Sequence, residues 1–340
     1  MGSSLLSARI ASLPKAELHL HLEGSIRPAV ACALAARHGV RLTEEEVRRR
    51  YDYRNFAEFI EAFKWVTSFL REPGDFALLG ADVAEQLMQQ HVVYAEVTLS
   101  VGIMLLRKQD PQANFEALLA ATEPFEKRGL RLNWVFDAVR QFGPELALNV
   151  VEAARRCASP RIVAFGIGGD ELQVHTREFT HVYARARNCG LHLLMHAGEV
   201  GGPEKIREAV EILGVERIGH GIAAIHDAAL MDVLAERRIA LEICPTSNLR
   251  TGALGSQLRN PRATLGQHPL PQLVRHGIPV VLSTDDPAMF HATLIGEYEA
   301  AVRMGLRETE LVALHRAGFE HAFLPQEIRQ AYISRLQRSQ

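Results

Sequence analysis

The sequence predicts an α/β protein of the (β/α)8 TIM-barrel type, with extra helices inserted after the first strand and added at the C-terminus. Three observations carry that expectation. Short strand-like runs recur eight times: AELHLHLEG (16–24), VVYAEVTLS (92–100), RLNWVFDAV (131–139), IVAFGIGGD (162–170), LHLLMHAGE (191–199), RIGHGI (217–222), IALEICPTS (239–247) and VVLSTDDP (280–287). Between them lie segments such as PELALNVVEAARRC (144–157), EKIREAVEIL (204–213) and DAALMDVLAERR (227–238), whose apolar residues recur three and four apart, as on one face of a helix. Strand and helix thus alternate, the pattern of βαβ units on a parallel sheet, and eight units suit a closed barrel better than an open sheet. Third, nearly every run turns polar at its C-terminal end, in HLHLEG, GGDE, MHAGE, GHG, CPTSN and STDD. In a barrel those ends meet on one rim, where active sites sit.

Strand one alternates, so Leu18, Leu20 and Leu22 share one face and Glu17, His19, His21 and Glu23 the other. On an antiparallel sheet such a polar face would simply be solvated. Parallel barrel strands are covered on both faces, so here the imidazoles and carboxylates need another reason. The tract from about 28 to 91 exceeds one crossover and reads as extra helices over the barrel mouth. Strands two to eight follow at the spacing of βα units, and residues 305 to 335 read as helices closing the back. Barrels run to roughly 250 residues or more as one unit, so 1–340 reads as a single domain.

The 340 residues are 47% hydrophobic and 23% charged, with a net charge of −2. No Lys/Arg-dense face offers a footprint for nucleic acid, and no apolar stretch approaches the ~20 residues of a membrane helix. MGSSLLSARIASLPK lacks a basic region before an apolar core, so no secretory signal is read and the expected compartment is the cytoplasm. Cys32, Cys157, Cys189 and Cys244 stand apart with no CxxC pair, which argues against both a disulfide framework and a thiolate metal site. A small-molecule partner is the expectation.

His19 and His21 sit about 6.6 Å apart along one strand, near enough for both rings to tilt onto one ion. His196 ends strand five, and Asp285 ends strand eight, the neighbour of strand one in a closed barrel. Three imidazoles and one carboxylate suit Zn2+, with a position left for water.

HLHLEG, GGDE, HAGE, GHG and STDDP, in this order, resemble the adenosine deaminase family of metal-dependent hydrolases in the amidohydrolase superfamily, and the likeness spans almost the whole chain. It implies metal ligands at His19, His21, His196 and Asp285. Strand four ends without the lysine that bridges two metals in other amidohydrolases, which implies one ion. It further implies that Glu199 donates a proton to purine N1 and that His220 is general base and electrostatic partner of the attacking oxygen, with Asp285 beside them. Asp286 would bond N7, the Gly169 N–H would bond N3, and His21 would also border the substrate. Glu199 and Asp286 together argue against hydrolysis of a cyclic amide, and the full set argues against a barrel without activity. Nucleobase deaminases of the PCxxC type are excluded, because no second Cys follows Cys244.

Within the family, Glu23 departs from the Asp usual in adenosine deaminases, while GGDE resembles the nucleoside enzymes rather than adenine deaminases. FKWVTSFLR (63–71), FDAVRQFG (136–143), FGIGGDE and TDDPAMF resemble deaminases of 6-amino-6-deoxyfutalosine, a menaquinone precursor with a benzoate-bearing tail at the ribose 5′ end. That substrate is the leading expectation, ahead of adenosine and then adenine. Arg140 or Arg27 would pair with the benzoate.

Overall fold

The computed structural model describes residues 11–54 and 56–339. Residues 1–10, on which much of the signal-peptide reading rests, lie outside the described residues. Eight parallel strands pair in chain order: β1 (Lys15–His21), β2 (Val92–Leu99), β3 (Arg131–Val139), β4 (Ile162–Gly168), β5 (His192–Ala197), β6 (Arg217–His220), β7 (Ala240–Ile243) and β8 (Val280–Leu282). The ring closes at its C-terminal rim, where Leu20 bridges Asp285. There His21 N donates to Asp285 O at 2.8 Å and Asp285 N donates to His19 O at 2.9 Å.

Each strand matches its expected run, β1 starting one residue earlier at Lys15, and several end early because the polar motifs leave extended geometry. Gly169 and Gly198 take φ of +96° and +72°, and the non-glycines His220 and Asp285 take +62° and +65°. Left-handed backbone costs an ordinary residue about 1–2 kcal/mol, so surrounding contacts must hold these turns.

Between β1 and β2 lie four helices: α1 (Pro28–Arg37), α2 (Glu44–Arg50), α3 (Phe56–Thr67) and α4 (Pro73–Gln89). The last is the crossover any βαβ unit needs, so the insertion proper is α1 to α3. Proline in the first turn starts α1 and α4, and a Thr43–Glu46 capping box starts α2. Buried Asp75 accepts from Arg37 Nε (2.6 Å) and pairs with His38 Nε2 (2.8 Å), tying α1 to α4. Ahead of α3, Tyr53 Oη donates to Met289 O at 2.8 Å, and Phe59 packs on Phe290 with ring centroids 5.0 Å apart. The insertion therefore lies over the β8 side of the mouth.

The helices Glu308–Glu320 and Gln326–Ser339 cover the opposite end, packing Ala317, Phe319, Ile333 and Leu336 with Ala16, Leu18, Tyr94 and Val281. Among the described residues no helix is long and apolar enough to cross a membrane.

Barrel interiors are usually filled by branched apolar side chains; this one carries a buried chain of charge. Arg217 Nη2 donates to Glu96 Oε2 (2.5 Å), Arg217 Nε to Glu242 Oε1 (2.6 Å), and His19 Nδ1 to Glu242 Oε2 (2.7 Å). All four residues are at most 2% exposed. Phe323 plugs the base, stacked on His192 at 4.1 Å and under the Arg217 guanidinium at 3.8 Å. Arg217→Met would strand two buried carboxylates. It is expected to cost about 3–5 kcal/mol of stability, read as a lower urea midpoint; an unchanged midpoint would show that the chain of charge does not support the fold.

Candidate active site

The ends of β1, β5, β6 and β8 bring the expected residues to one point. Asp285 Oδ1 lies 3.5 Å from His19 Nε2 and 3.3 Å from His21 Nε2, and His21 Nε2 lies 3.3 Å from His196 Nε2. On the other side of the carboxylate, Ser247 Oγ donates to Asp285 Oδ2 at 2.6 Å, and His220 Nε2 stands 3.9 Å from that oxygen and 3.6 Å from Glu199 Oε2. Ligand atoms of His19, His196, His220 and Asp285 all lie within 4.8 Å of one another. By distance alone, His220 and His21 therefore compete for a fourth ligand position.

The donor set fits a divalent ion. His19 Nε2 is buried with no hydrogen-bond partner, although its Nδ1 is held by Glu242. His21 and His196 turn ring nitrogens towards each other, an arrangement with room for one proton between them or for one shared cation. Nitrogen and oxygen donors converging from rigid strand ends, with a carboxylate orienting one imidazole from behind, are the usual construction of a catalytic metal site.

Burial sets the protonation of the site. It pushes His21 down to about 4 and His220 down to about 3, so both rings are neutral. Burial would lower His19 as well, but Asp285 and Glu242 outweigh it and push His19 up to about 10. Burial would raise Asp285, yet the imidazoles around it, His19 foremost, hold it well below the usual carboxylate range. Its neighbour Asp286 goes the other way, raised by burial and by the Asp285 charge. Glu199 is pushed up to about 8, chiefly by burial and then by Asp285 and Glu171. Asp286 and Glu199 are thus pushed towards the protonated form and Asp285 towards the anion.

The sequence profile of the adenosine deaminase family matches residues 14–339. The chain belongs to the adenosine deaminase family. An aminodeoxyfutalosine deaminase of Streptomyces coelicolor is 40% identical over 326 residues, spanning 94% of this chain and 82% of that protein. An adenine deaminase of a Chelativorans species is 33% identical over 326 residues, spanning 95% and 98%. The solved adenine deaminase of Arthrobacter aurescens superimposes with a TM-score of 0.88 at 26% identity, covering 96% of this chain and 98% of that one. The protein is a hydrolytic deaminase of this metal-dependent family.

Several residues that support the deaminase site were not singled out in the sequence. Glu171, the last residue of GGDE, accepts from the backbone N–H groups of Gly198 (2.8 Å), Glu199 (2.8 Å), Val200 (3.3 Å) and Gly201 (3.2 Å), and so shapes the turn that presents Glu199. Thr251 Oγ1 donates to Glu199 Oε1 at 3.3 Å. Gly219 leaves room for a ring, since a Cβ there would stand 2.8 Å from His19 Cε1; a Cβ on Gly24 would overlap the Asp286 carboxyl. Ser247, Asn248, Glu171 and both glycines lie inside the polar motifs already quoted, whereas Glu242 was legible only as a charge on the inward face of a buried strand.

Gly169 is exposed at the end of β4. Glu23 is buried at the mouth, with Oε1 accepting from Ser100 N at 3.0 Å and Oε2 unpartnered. The two arginines expected at the substrate tail are both engaged by protein groups. Arg140 is buried on the outer side of the sheet, donating to Val174 O (3.2 Å) and Met195 Sδ (3.2 Å), because the short helical turn after β3 carries it away from the barrel axis. Arg27 Nε, just ahead of α1, donates to Asp82 on the crossover helix α4 at 2.9 Å. A cleft beside Glu23 leads instead to Arg107. Phe63, Leu70, Phe76 and Met104 wall it closely, leaving a free volume of about 10 Å3. Arg107 is pinned there by Thr67 O (2.6 Å) and Thr67 Oγ1 (3.0 Å).

Two outcomes are expected. Gly24→Ala should displace Asp286 and lower kcat/KM about a hundredfold with metal content unchanged; full activity would show that Asp286 has no tight seat. Loading a divalent ion into the metal-free protein at about pH 6 should release about one proton, from His19, since the other imidazoles are already neutral. Calorimetry in buffers of different ionisation enthalpy measures it, and a release near zero would contradict His19 as a ligand.

Proposed function

We propose that this enzyme deaminates 6-amino-6-deoxyfutalosine to the 6-oxo product and ammonia, with one Zn2+ held by His19, His21, His196 and Asp285. The observation that carries the substrate is the 40% identity over 94% of the chain to an aminodeoxyfutalosine deaminase, against 33% to an adenine deaminase. Adenosine is the second reading, favoured by the nucleoside-type GGDE motif. Zn2+ in that cradle supplies Lewis acidity that brings the pKa of water from about 15.7 towards 7.

The chain's own groups do the rest. Glu199 holds a proton at neutral pH and gives it to N1 as a water oxygen attacks C6, the water's proton passing to the Asp285 carboxylate. As the tetrahedral adduct collapses, Asp285 gives that proton to the departing amino group, which leaves as ammonia, and the hydroxyl proton restores Glu199. His220 faces the attacking oxygen between Glu199 and Asp285. Asp286, protonated, donates to N7, and the Gly169 N–H meets N3. The tail of the substrate lies towards Glu23, and Arg107, at the far end of the narrow cleft beside it, is the cation that meets its carboxylate once Phe63, Leu70, Phe76 and Met104 move apart. All four cysteines are unpaired thiols, in keeping with the reducing cytoplasm.

Side-by-side kcat/KM for aminodeoxyfutalosine, adenosine and adenine tests the substrate. A preference of about tenfold or more for the first, equal to about 1.4 kcal/mol, is expected, and a preference for either of the others overturns it. The Glu199 proton is present below its raised pKa and lost as pH climbs through it. Activity should therefore fall on the alkaline side with an apparent pKa near 8. Glu199→Gln should keep the metal and lose nearly all turnover; an active, metal-loaded variant would remove Glu199 from the mechanism.

A further inference from the structure

We infer that a hydrogen-bond relay from Leu270 through His268 and Asn248 fixes the proton of the His220 ring on Nε2. His220 is then a hydrogen-bond donor to the attacking oxygen, and neither a metal ligand nor a proton acceptor. The catalytic half of this inference rests on the deamination proposed above; the position of the proton does not.

The relay starts at a group with one possible role. Leu270 N donates to His268 Nδ1 at 3.0 Å, and a backbone N–H can only donate, so Nδ1 carries a lone pair and the ring's proton sits on Nε2. That proton faces Asn248 Oδ1 at 3.2 Å. The orientation of the Asn248 amide follows, and its NH2 group is turned to His220 Nδ1 at 3.0 Å. An NH2 group also only donates, so Nδ1 of His220 carries a lone pair and Nε2 the proton.

Reversing Asn248 would set two donors against each other at His268, whose Nδ1 is committed to Leu270 N, whereas His220 could satisfy either orientation by changing tautomer; the amide is therefore oriented from the His268 end. His268, Asn248 and His220 are 4%, 0% and 1% exposed, so no bulk water repairs the loss, and each buried polar group left unpaired costs about 1–3 kcal/mol. A doubly protonated His220 is disfavoured for the same reason, because it would need an acceptor where Asn248 presents a donor.

The fixed Nε2–H lies 3.6 Å from Glu199 Oε2 and 3.9 Å from Asp285 Oδ2, on the side of Asp285 away from His21. A nitrogen that bears a proton has no lone pair for a cation. Of the two histidines that distance leaves in competition, His21 is therefore the ligand. A base at this position would need a free lone pair as well, and the single one on the ring is occupied by Asn248. The general-base role expected for His220 from the sequence is replaced by that of a preorganised donor to the oxygen on which charge develops. His268 and Asn248 are positioning residues; neither is among the groups that meet the substrate.

The test is a two-bond 15N–1H spectrum of the zinc-loaded, 15N-histidine-labelled enzyme, with the His220 signals assigned by their loss in His220→Asn. The expected pattern is protonated Nε2 and bare Nδ1. Asn248→Asp sets a carboxylate against Nδ1 and should move the proton there. It should also lower kcat/KM by about a hundredfold or more with metal content retained, as a wrong tautomer does in other enzymes. His268→Phe frees the Asn248 amide and should give a mixture of both tautomers. A wild-type spectrum with protonated Nδ1, or variants that leave the spectrum unchanged, would overturn the relay. The expected spectrum from an enzyme that deaminates no aminopurine would overturn the proposed reaction and leave the relay standing.

Discussion

The carboxylate of Glu242 lies between a guanidinium and an imidazole in the middle of the barrel, and the site is built outward from it. One oxygen is held by Arg217, the other by His19. A charge so deep is tolerated because its partners are charged, bonded and buried with it, and because Glu96 balances the far side of Arg217. The arrangement commits His19 Nδ1 to donation and leaves Nε2, unpartnered, facing Asp285 and the other imidazoles. The fold and the reactive centre thus share one set of hydrogen bonds. The interior is polar where it holds the His19 ring in place, and Phe323 closes it from below.

Around that fixed imidazole the rim separates groups of identical chemistry. Asp285 and Asp286 are adjacent in the chain, yet imidazoles push one towards the anion while burial and its neighbour's charge push the other towards the acid. The backbone makes the separation possible: with φ at +65°, Asp285 turns back to bridge β1, while Asp286 opens the next helix and rests against Gly24. Glu199 gains its proton from the same field, and Glu171 holds the turn that carries it through four backbone N–H groups. Carboxyls pushed apart in this way provide an acid and an anion at one pH.

The inserted helices give the general scaffold its particular mouth. Tyr53 and Phe59 fasten them to the helix that follows Asp286, and Phe63, Thr67 and Leu70 wall the cleft beside Glu23. The position that departs from the adenosine deaminase pattern therefore opens onto the part of the fold that is itself an insertion.

By itself the sequence determined the barrel, the order of its strands and the residues of the reactive rim, because each is written locally. Apolar period marks the elements, and polar residues at the ends of buried strands have no structural use that water could supply. Five motifs could be read without knowing how far apart they lie, since a closed parallel barrel gathers all strand ends on one side. Tertiary structure alone decided the rest. Arg140 looked available at a strand end, but the turn after β3 buries it outside the barrel, while Arg107 reaches the cleft from a helix end that carries no motif. Glu242, His268 and Asn248 act through partners that are distant in the chain, so their meaning lies in contacts. Which nitrogen of His220 holds its proton depends on a backbone N–H fifty residues away, a relation that periodicity and spacing do not encode.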